Sequence, residues 1–249
     1  MIQPHQITPP MSAERARDIA TSFDLRALPP DFFNNPYPVY RALRDRLMRG
    51  DFAPGQCLGI EELAQAMNTS TMPVRAALNR LAEQRVLERN KSRSMQVPSL
   101  TLERLEDICR SRLLLEGALT AWATPRLVSS DLDLLKDLAR KIARALKTPA
   151  TIDLGLVHNQ AFHFTIYQAA DSPTLLAMVE SLWLQSGPYL RAARALMHRA
   201  QGPDLALHDR ILQAVVERDA PAARAAIEQD IAWAFDRLRA MPAQLSSAA

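Results

Sequence analysis

Four polar side chains interrupt apolar helical stripes in the C-terminal part of the chain. Asn159 and His163 lie four residues apart on one such stripe, so their side chains stack one helical turn apart. His208 interrupts a second stripe, and Asp230 interrupts a third. Imidazole nitrogens with carboxylate and amide oxygens suit Zn²⁺, Ni²⁺ or Mn²⁺. A divalent-metal site is one interpretation of the four residues, and hydrogen-bonded core side chains are the other.

A second polar set lies on the outer face of a predicted helix. Thr71, Arg75 and Asn79 recur every four residues there. Such a face suits the DNA major groove, where Arg pairs with guanine, Asn with adenine, and Thr with a base or a phosphate. Ser70 is a predicted N-cap, beside N–H groups that can face a phosphate. An ordinary amphipathic helix with a polar outer face has the same pattern.

Two further helices are predicted before that one. An apolar period begins at Val39 and ends at Gly50, where a left-handed residue can close a helix. The next helix is predicted from Ile60 to Met67. The third follows Ser70, and its inner face is apolar: Val74, Ala77, Leu78 and Leu81.

A basic hairpin is predicted to follow, with strands over Val86–Arg89 and Ser94–Val97. Lys91 and Arg93 at its tip suit the DNA backbone or the minor groove. Residues 36–98 hold ten Lys/Arg and six Asp/Glu, a net charge of +4, whereas residues 99–249 have a net charge of zero. This excess favours a polyanionic partner, although a solvated basic face looks the same.

Only helical periods appear from residue 101 to about residue 241. They are divided by Pro125, Pro149, Pro173, Pro188, Gly202-Pro203 and Pro221. This spacing predicts an antiparallel bundle of six or seven helices, and hence a mainly α fold.

Composition excludes several classes of protein. Hydrophobic residues make up 48% and charged residues 23%, as in globular proteins and unlike disordered chains. No apolar run approaches the roughly 18 residues of a membrane span, and no signal-peptide layout is present. Cys57 and Cys109 form no ligand or disulfide framework. We therefore expect a cytoplasmic protein with no membrane partner.

Three segments are predicted. Residues 1–35 contain five prolines and no apolar period, which indicates a flexible extension. Residues 36–98 hold the short helices and the hairpin. Residues 99–249 hold the bundle, with a boundary at Pro98-Ser99-Leu100.

The first unit resembles the winged helix-turn-helix of the GntR family of bacterial transcription regulators. The matching positions are Tyr40, Gly50-x-x-x-Pro54-Gly55, Glu62-Leu63-Ala64 and Ser70-x-x-Pro73-Val74-Arg75-x-Ala77-Leu78-x-x-Leu81. The resemblance implies that Arg75 reads guanine. Thr71 and Glu61 replace basic residues common in the family, and Arg85 and Ser94 replace two family glycines.

The second unit resembles the helical FCD domain, the effector domain of the fatty-acid-regulator branch of that family. The matching stretches are Arg112-x-x-x-Glu116, NQAFHFTIYQAADSPTL and HDRILQAVVERDAPAARAAIEQDI. Many members hold a divalent metal with one aspartate and three histidines. Those positions are Asn159, His163, His208 and Asp230 here. Asn159 stands at the position of the family aspartate, and Asp230 stands at the position of one family histidine.

The resemblance also implies that Arg112 clamps the carboxylate of an organic-acid effector. The alternative for Arg112 is an ion pair with Glu116, four residues later on the same helix.

We therefore expect a ligand-responsive DNA-binding regulator that binds double-stranded palindromic DNA as a homodimer, and not an enzyme. A helical metalloenzyme and a DNA-binding protein with a purely structural bundle are the alternatives. The basic helix-turn-helix argues against the enzyme.

Overall fold

The computed structural model describes residues 36–145, 151–200 and 206–240, without the side chains of 36, 152 and 190–200. The predicted extension over 1–35 lies outside the described residues. The described part contains nine α-helices and three two-residue strands, so the predicted mainly α fold is confirmed. It forms two compact units. The first unit comprises 36–44 and 57–96, and the second comprises 45–56 and 97–240.

The first unit holds most of α1 (Pro36–Arg49) with α2 (Ile60–Ala66) and α3 (Thr71–Glu83). The inner face of α3 is buried as predicted. Gly50 closes α1 with φ +74°, in the left-handed region that glycine tolerates. Ser70 is the N-cap residue of α3, but its side chain makes no capping hydrogen bond.

A small antiparallel sheet completes this unit. Its strands are β1 (Cys57–Leu58), β2 (Glu88–Arg89) and β3 (Met95–Gln96), in the order β1-β3-β2. The hairpin is present where the sequence predicts it, whereas β1 was not predicted. A two-residue strand is too short to show alternation, so only pairing with β3 defines it.

The second unit contains six helices among the described residues. They are α4 (Leu102–Ala123), α5 (Ser129–Ala145), α6 (Ile152–Gln168), α7 (Pro173–Ala200), α8 (Ala206–Val216) and α9 (Ala220–Arg239). Helix α4 packs along α9 and α7, and α5 packs along α6. None of the described helices is long and apolar enough to span a membrane.

The predicted break at Pro188 is wrong, because Pro188 lies inside α7. A proline removes one N–H donor, and the packed helix continues through it. The adjacent Gly187 lies where another segment approaches α7 closely. A Cβ at Gly187 would lie 2.1 Å from the carbonyl oxygen of Leu47, so this position admits only glycine without a shift.

Residues 45–56 group with the helical unit, which differs from the single predicted segment 36–98. Phe52 is buried, and Nε of Arg46 lies 3.4 Å from Oδ2 of Asp51. Gln160 on α6 donates a hydrogen bond to Sδ of Met48 at 2.9 Å. The contact between Gln160 and Met48 ties the end of α1 to the bundle.

Candidate nucleic-acid interface and metal centre

The outer face of α3 is open to solvent. Arg75 is exposed, Thr71 and Asn79 are half-buried, and Ser70 before the helix is exposed. The structure thus places these four residues on one end and one face of α3. Their contacts with DNA remain predictions.

The turn that joins β2 to β3 carries the two predicted basic residues. Lys91 and Arg93 are both exposed there. The Asn90 side chain organises the turn, because its Oδ1 accepts from the backbone N–H of Ser94 at 2.9 Å. The left-handed conformation falls on Arg93, with φ +62°, rather than on Ser94. Arg85, the other position where the family has glycine, is left-handed with φ +58°.

A cleft of about 280 Å³ separates α3 from this turn. Its lining includes Arg75, Asn79, Arg89, Arg93 and one carboxylate, that of Glu61. Three guanidinium groups against one carboxylate make the cleft electropositive, which suits a nucleic-acid phosphate or a base edge rich in acceptors.

The predicted metal-ligating residues come together in the second unit. Ligand atoms of His163 on α6, His208 on α8 and Asp230 on α9 all lie within 4.8 Å of one another. Nε2 of His163 is 3.3 Å from Oδ2 of Asp230, and Nε2 of His208 is 2.9 Å from Oδ1 of Asn159. Both histidines and Asn159 are buried.

The tautomer of His163 follows from its neighbour Tyr167. The Tyr167 hydroxyl donates its proton to Oε2 of Glu116 at 2.5 Å. Burial, reinforced by the Glu116 charge, holds the pKa of Tyr167 well above its usual value, so the hydroxyl keeps that proton. Its oxygen therefore accepts from Nδ1–H of His163, 3.1 Å away. The lone pair of His163 is left on Nε2.

These residues fit a divalent cation. Nε2 of His163 is buried and has no hydrogen-bond partner, yet it faces a carboxylate oxygen. Two acceptors that face each other repel unless a proton or a metal cation lies between them. Adjacent ligands of a metal bound at ordinary Zn²⁺ distances are about 3.0–3.4 Å apart. The His163–Asp230 spacing of 3.3 Å agrees with that range, whereas His208 and Asn159 lie 2.9 Å apart, at hydrogen-bond distance.

Arg112 lies beside this cluster in a buried network. Its Nε and Nη2 donate to the two carboxylate oxygens of Glu116 at 2.5 and 3.1 Å, and its Nη1 donates to Oγ of Ser186 at 3.1 Å. Burial disfavours the charged guanidinium, but the Glu116 carboxylate outweighs burial, and the pKa of Arg112 is raised. The ion pair named as the alternative is therefore present, and the effector clamp remains a prediction.

Sequence reasoning missed the central position of Glu116. Its carboxylate accepts from Arg112, from Tyr167 and from Nε1 of Trp183 at 3.0 Å. Two helical spacings in the sequence indicate parts of this network. Glu116 follows Arg112 by four residues, and Tyr167 follows His163 by four, so each pair lies on one face of its helix. Trp183 lies on a different helix, so spacing alone does not connect it to the network.

The fold and the basic face define a winged-helix DNA-binding unit joined to an all-helical domain. Comparison with known families matches residues 38–97 to the description "Bacterial regulatory proteins, gntR family" and residues 107–232 to the FCD domain. The chain belongs to the GntR family of bacterial transcription regulators, with an FCD domain in its C-terminal part. It is a transcription regulator and not an enzyme.

Relatives agree with this placement. The HTH-type transcriptional regulator McbR of Escherichia coli K12 is 32% identical over 152 residues, which cover 61% of this chain and 68% of McbR. The HTH-type transcriptional repressor GlaR of Escherichia coli K12 is 27% identical over 58% of this chain and 67% of its own. The solved structure of E. coli McbR/YncC has a TM-score of 0.74 at 26% identity, and the match covers 82% of this chain and 96% of that one.

Proposed function

We propose that the protein binds a palindromic operator as a homodimer, acts in the cytoplasm, and senses a small organic acid at a divalent-metal site in its FCD domain. The observation that carries the sensor part is the buried Nε2 of His163, which has no hydrogen bond and faces the Asp230 carboxylate at 3.3 Å. A cation bound beside this nitrogen and the neighbouring carboxylate would give the nitrogen the partner that the described part of the bundle does not supply.

DNA recognition is assigned to α3 and to the β2–β3 turn. Arg75 is exposed and offers a guanidinium to guanine, with Thr71 and Asn79 on the same face. Ser70 lies at the start of α3, and Lys91 and Arg93 supply phosphate contacts from the turn.

The homodimer is supported by exposed apolar side chains on α4. Leu114 is 63% exposed and Trp122 is 48% exposed, and they are eight residues apart on one side of the helix. Large apolar side chains grouped on a helix surface indicate a protein interface. We expect Trp122→Arg to convert a dimer into a monomer in analytical ultracentrifugation, and a monomeric wild type would contradict the assignment.

His163, His208, Asp230 and Asn159 would hold the metal, which supplies a positive charge able to attract a carboxylate. Tyr167 orients His163 through Nδ1, and Glu116 in turn orients Tyr167. Because Glu116 already occupies two donor groups of Arg112, we assign the effector carboxylate first to the metal. Arg112 is the second contact, through the two N–H groups that Glu116 and Ser186 do not use.

The test of the sensor is metal binding by the full chain, measured by calorimetry and by thermal stability with Zn²⁺, Ni²⁺ or Mn²⁺. A bound metal raises the melting temperature, and an effector acid raises it further. Asp230→Asn should abolish stoichiometric binding. Asp236→Asn on the exposed side of the same helix is the matched control and should bind normally. Equal binding by both variants, or none by the wild type, would overturn the metal site.

The test of DNA binding is selection from a random duplex library, followed by fluorescence anisotropy on the selected sequence. We expect an inverted repeat, and a loss of about tenfold or more in affinity for Arg75→Ala. The acid that raises the melting temperature should change operator affinity, because a ligand acts only through its different affinities for two states. An unchanged operator affinity would remove the sensor assignment and leave DNA binding in place.

A further inference from the structure

Arg89 on β2 links the recognition helix to the β2–β3 turn. Its Nη2 donates to Oδ1 of Asn79 on α3 at 2.9 Å. Its Nη1 lies 3.5 Å from the carbonyl oxygen of Arg93, which is a long hydrogen bond. One guanidinium thus spans the cleft described above, and all three residues line it.

This contact orients the Asn79 amide. A guanidinium only donates, so the group of Asn79 that faces Arg89 is the carbonyl oxygen. The NH₂ group of Asn79 then lies on the other branch of the amide. An asparagine that reads adenine must offer its oxygen and its NH₂ group to the base together. Arg89 already uses one of the two lone pairs of that oxygen, which makes the oxygen a weaker acceptor for the adenine amino group.

We propose that Arg89 is a positioning residue that presents Asn79 to DNA as a hydrogen-bond donor, so that the adenine contact expected for asparagine is replaced by a contact to guanine or thymine. Guanine exposes N7 and O6 in the major groove and thymine exposes O4, all of which are acceptors. This inference rests on the proposed operator binding by α3.

The charge of Arg89 supports the same assignment. The guanidinium lies beside the amide oxygen, where it makes the NH₂ group a stronger donor through polarisation. Glu61 is the one carboxylate that lines the cleft, and no hydrogen bond joins it to Arg89 among the contacts of the described residues. The guanidinium therefore remains directed at Asn79 and at the turn.

The test is selection from a random duplex library with the full-length wild type, Asn79→Ala, Arg89→Ala and Asn79→Ala/Arg89→Ala. Asn79→Ala should lose preference at one position of each half-site, which identifies the base that Asn79 reads. The wild type should hold guanine or thymine there. Arg89→Ala should lower that preference about tenfold or shift it to adenine, while the positions lost in Arg75→Ala stay unchanged. The double variant should match Asn79→Ala at this position.

Lys91→Ala is the matched control, since it removes one positive charge from the turn next to Arg89 and Lys91 makes no hydrogen bond to Asn79 in the described part of the chain. It should weaken binding to all sequences alike and reduce the salt dependence, with base preference unchanged. Thermal stability of each variant verifies that the exposed substitutions leave the unit folded.

The outcomes separate the inference from the proposed function. Equal preference in wild type and Arg89→Ala, or adenine at the Asn79 position in wild type, overturns the positioning role and leaves operator binding intact. No dependence of any position on Asn79 also overturns it. If the wild type selects no sequence, operator binding fails and the inference fails with it.

Discussion

Nε2 of His163 and Oδ2 of Asp230 face each other at 3.3 Å, and the nitrogen has no hydrogen bond. The opposite ring nitrogen joins Tyr167, which donates to Glu116, and Glu116 accepts from Arg112. A continuous buried chain therefore runs from the candidate metal site to the predicted effector contact.

Asn159→Asp should strengthen metal binding. Oδ1 of Asn159 lies 2.9 Å from Nε2 of His208, so the substitution places a second carboxylate in the cluster. A charged oxygen is a better ligand than an amide oxygen, and we expect the Zn²⁺ affinity to rise about tenfold, which corresponds to about 1.4 kcal/mol. Calorimetric titration measures it.

The control for that substitution is Gln168→Glu, which makes the same chemical change on an exposed position of the same helix. It should leave the Zn²⁺ affinity unchanged. Without metal, Asn159→Asp should melt at a lower temperature than wild type, because two carboxylates then share one buried cluster. An unchanged Zn²⁺ affinity would argue against Asn159 as a ligand position.

Glu116→Gln should destabilise the helical unit strongly. The substitution leaves the Arg112 guanidinium, which is 3% exposed, without its countercharge. Removal of one partner from a buried ion pair costs roughly 3–5 kcal/mol. Urea-induced unfolding followed by circular dichroism measures the free energy of unfolding.

Glu228→Gln is the comparison, because Glu228 also pairs with an arginine four residues away on its helix, Arg224. Arg224 is exposed and Glu228 is half-buried, so the loss of this pair should change the free energy of unfolding by about 1 kcal/mol or less. Similar losses in the two variants would show that burial does not determine the strength of the Arg112–Glu116 pair.

The elements that sequence predicted well are those with a repeating apolar period. Val74, Ala77, Leu78 and Leu81 repeat at helical spacing over about two turns, and α3 is present with this face buried. His163, His208 and Asp230 were found for the same reason, since a polar residue on an apolar stripe must point inward. Their convergence on one point depended on family resemblance, because they come from three different helices.

What sequence could not show depends on contacts between distant segments. Strand β1 exists only through its pairing with β3, and residues 45–56 join the bundle through contacts such as Gln160 with Met48. Pro188 lacks a backbone N–H and therefore predicts a helix end, but α7 continues past this residue in the packed bundle. The sequence shows Glu116 only as the partner of Arg112 on one helix, whereas the structure adds hydrogen bonds to it from Tyr167 and Trp183 on two other helices.

Arg85→Gly should stabilise the DNA-binding unit. Arg85 has φ +58°, a left-handed conformation that costs a residue with a Cβ about 1–2 kcal/mol. Part of this gain is offset by the greater freedom of glycine in the unfolded chain, so we expect a net gain of about 1 kcal/mol. Thermal unfolding measures it. Arg85→Ala removes the same side chain but keeps the strain, and a gain of equal size for both variants would rule out the backbone explanation.

Gly187→Ala should destabilise the helical unit, whereas Gly117→Ala should be nearly neutral. A Cβ at Gly187 would lie 2.1 Å from the carbonyl oxygen of Leu47 and 2.8 Å from that of Met48. Backbone atoms cannot rotate away, and overpacking of this kind costs roughly 1–3 kcal/mol. A Cβ at Gly117 would lie 2.5 Å from Oε1 of Glu228, which is the end of a flexible side chain.

Both glycines lie inside helices, so alanine brings each the same gain in helix propensity, up to about 1 kcal/mol. The difference between the two variants therefore isolates the cost of the close approach between α7 and the end of α1. The free energy of unfolding, measured in urea for both, should differ by about 2 kcal/mol or more. If Gly187→Ala is as stable as Gly117→Ala, the end of α1 does not press against α7 in solution, and the grouping of residues 45–56 with the bundle is incorrect.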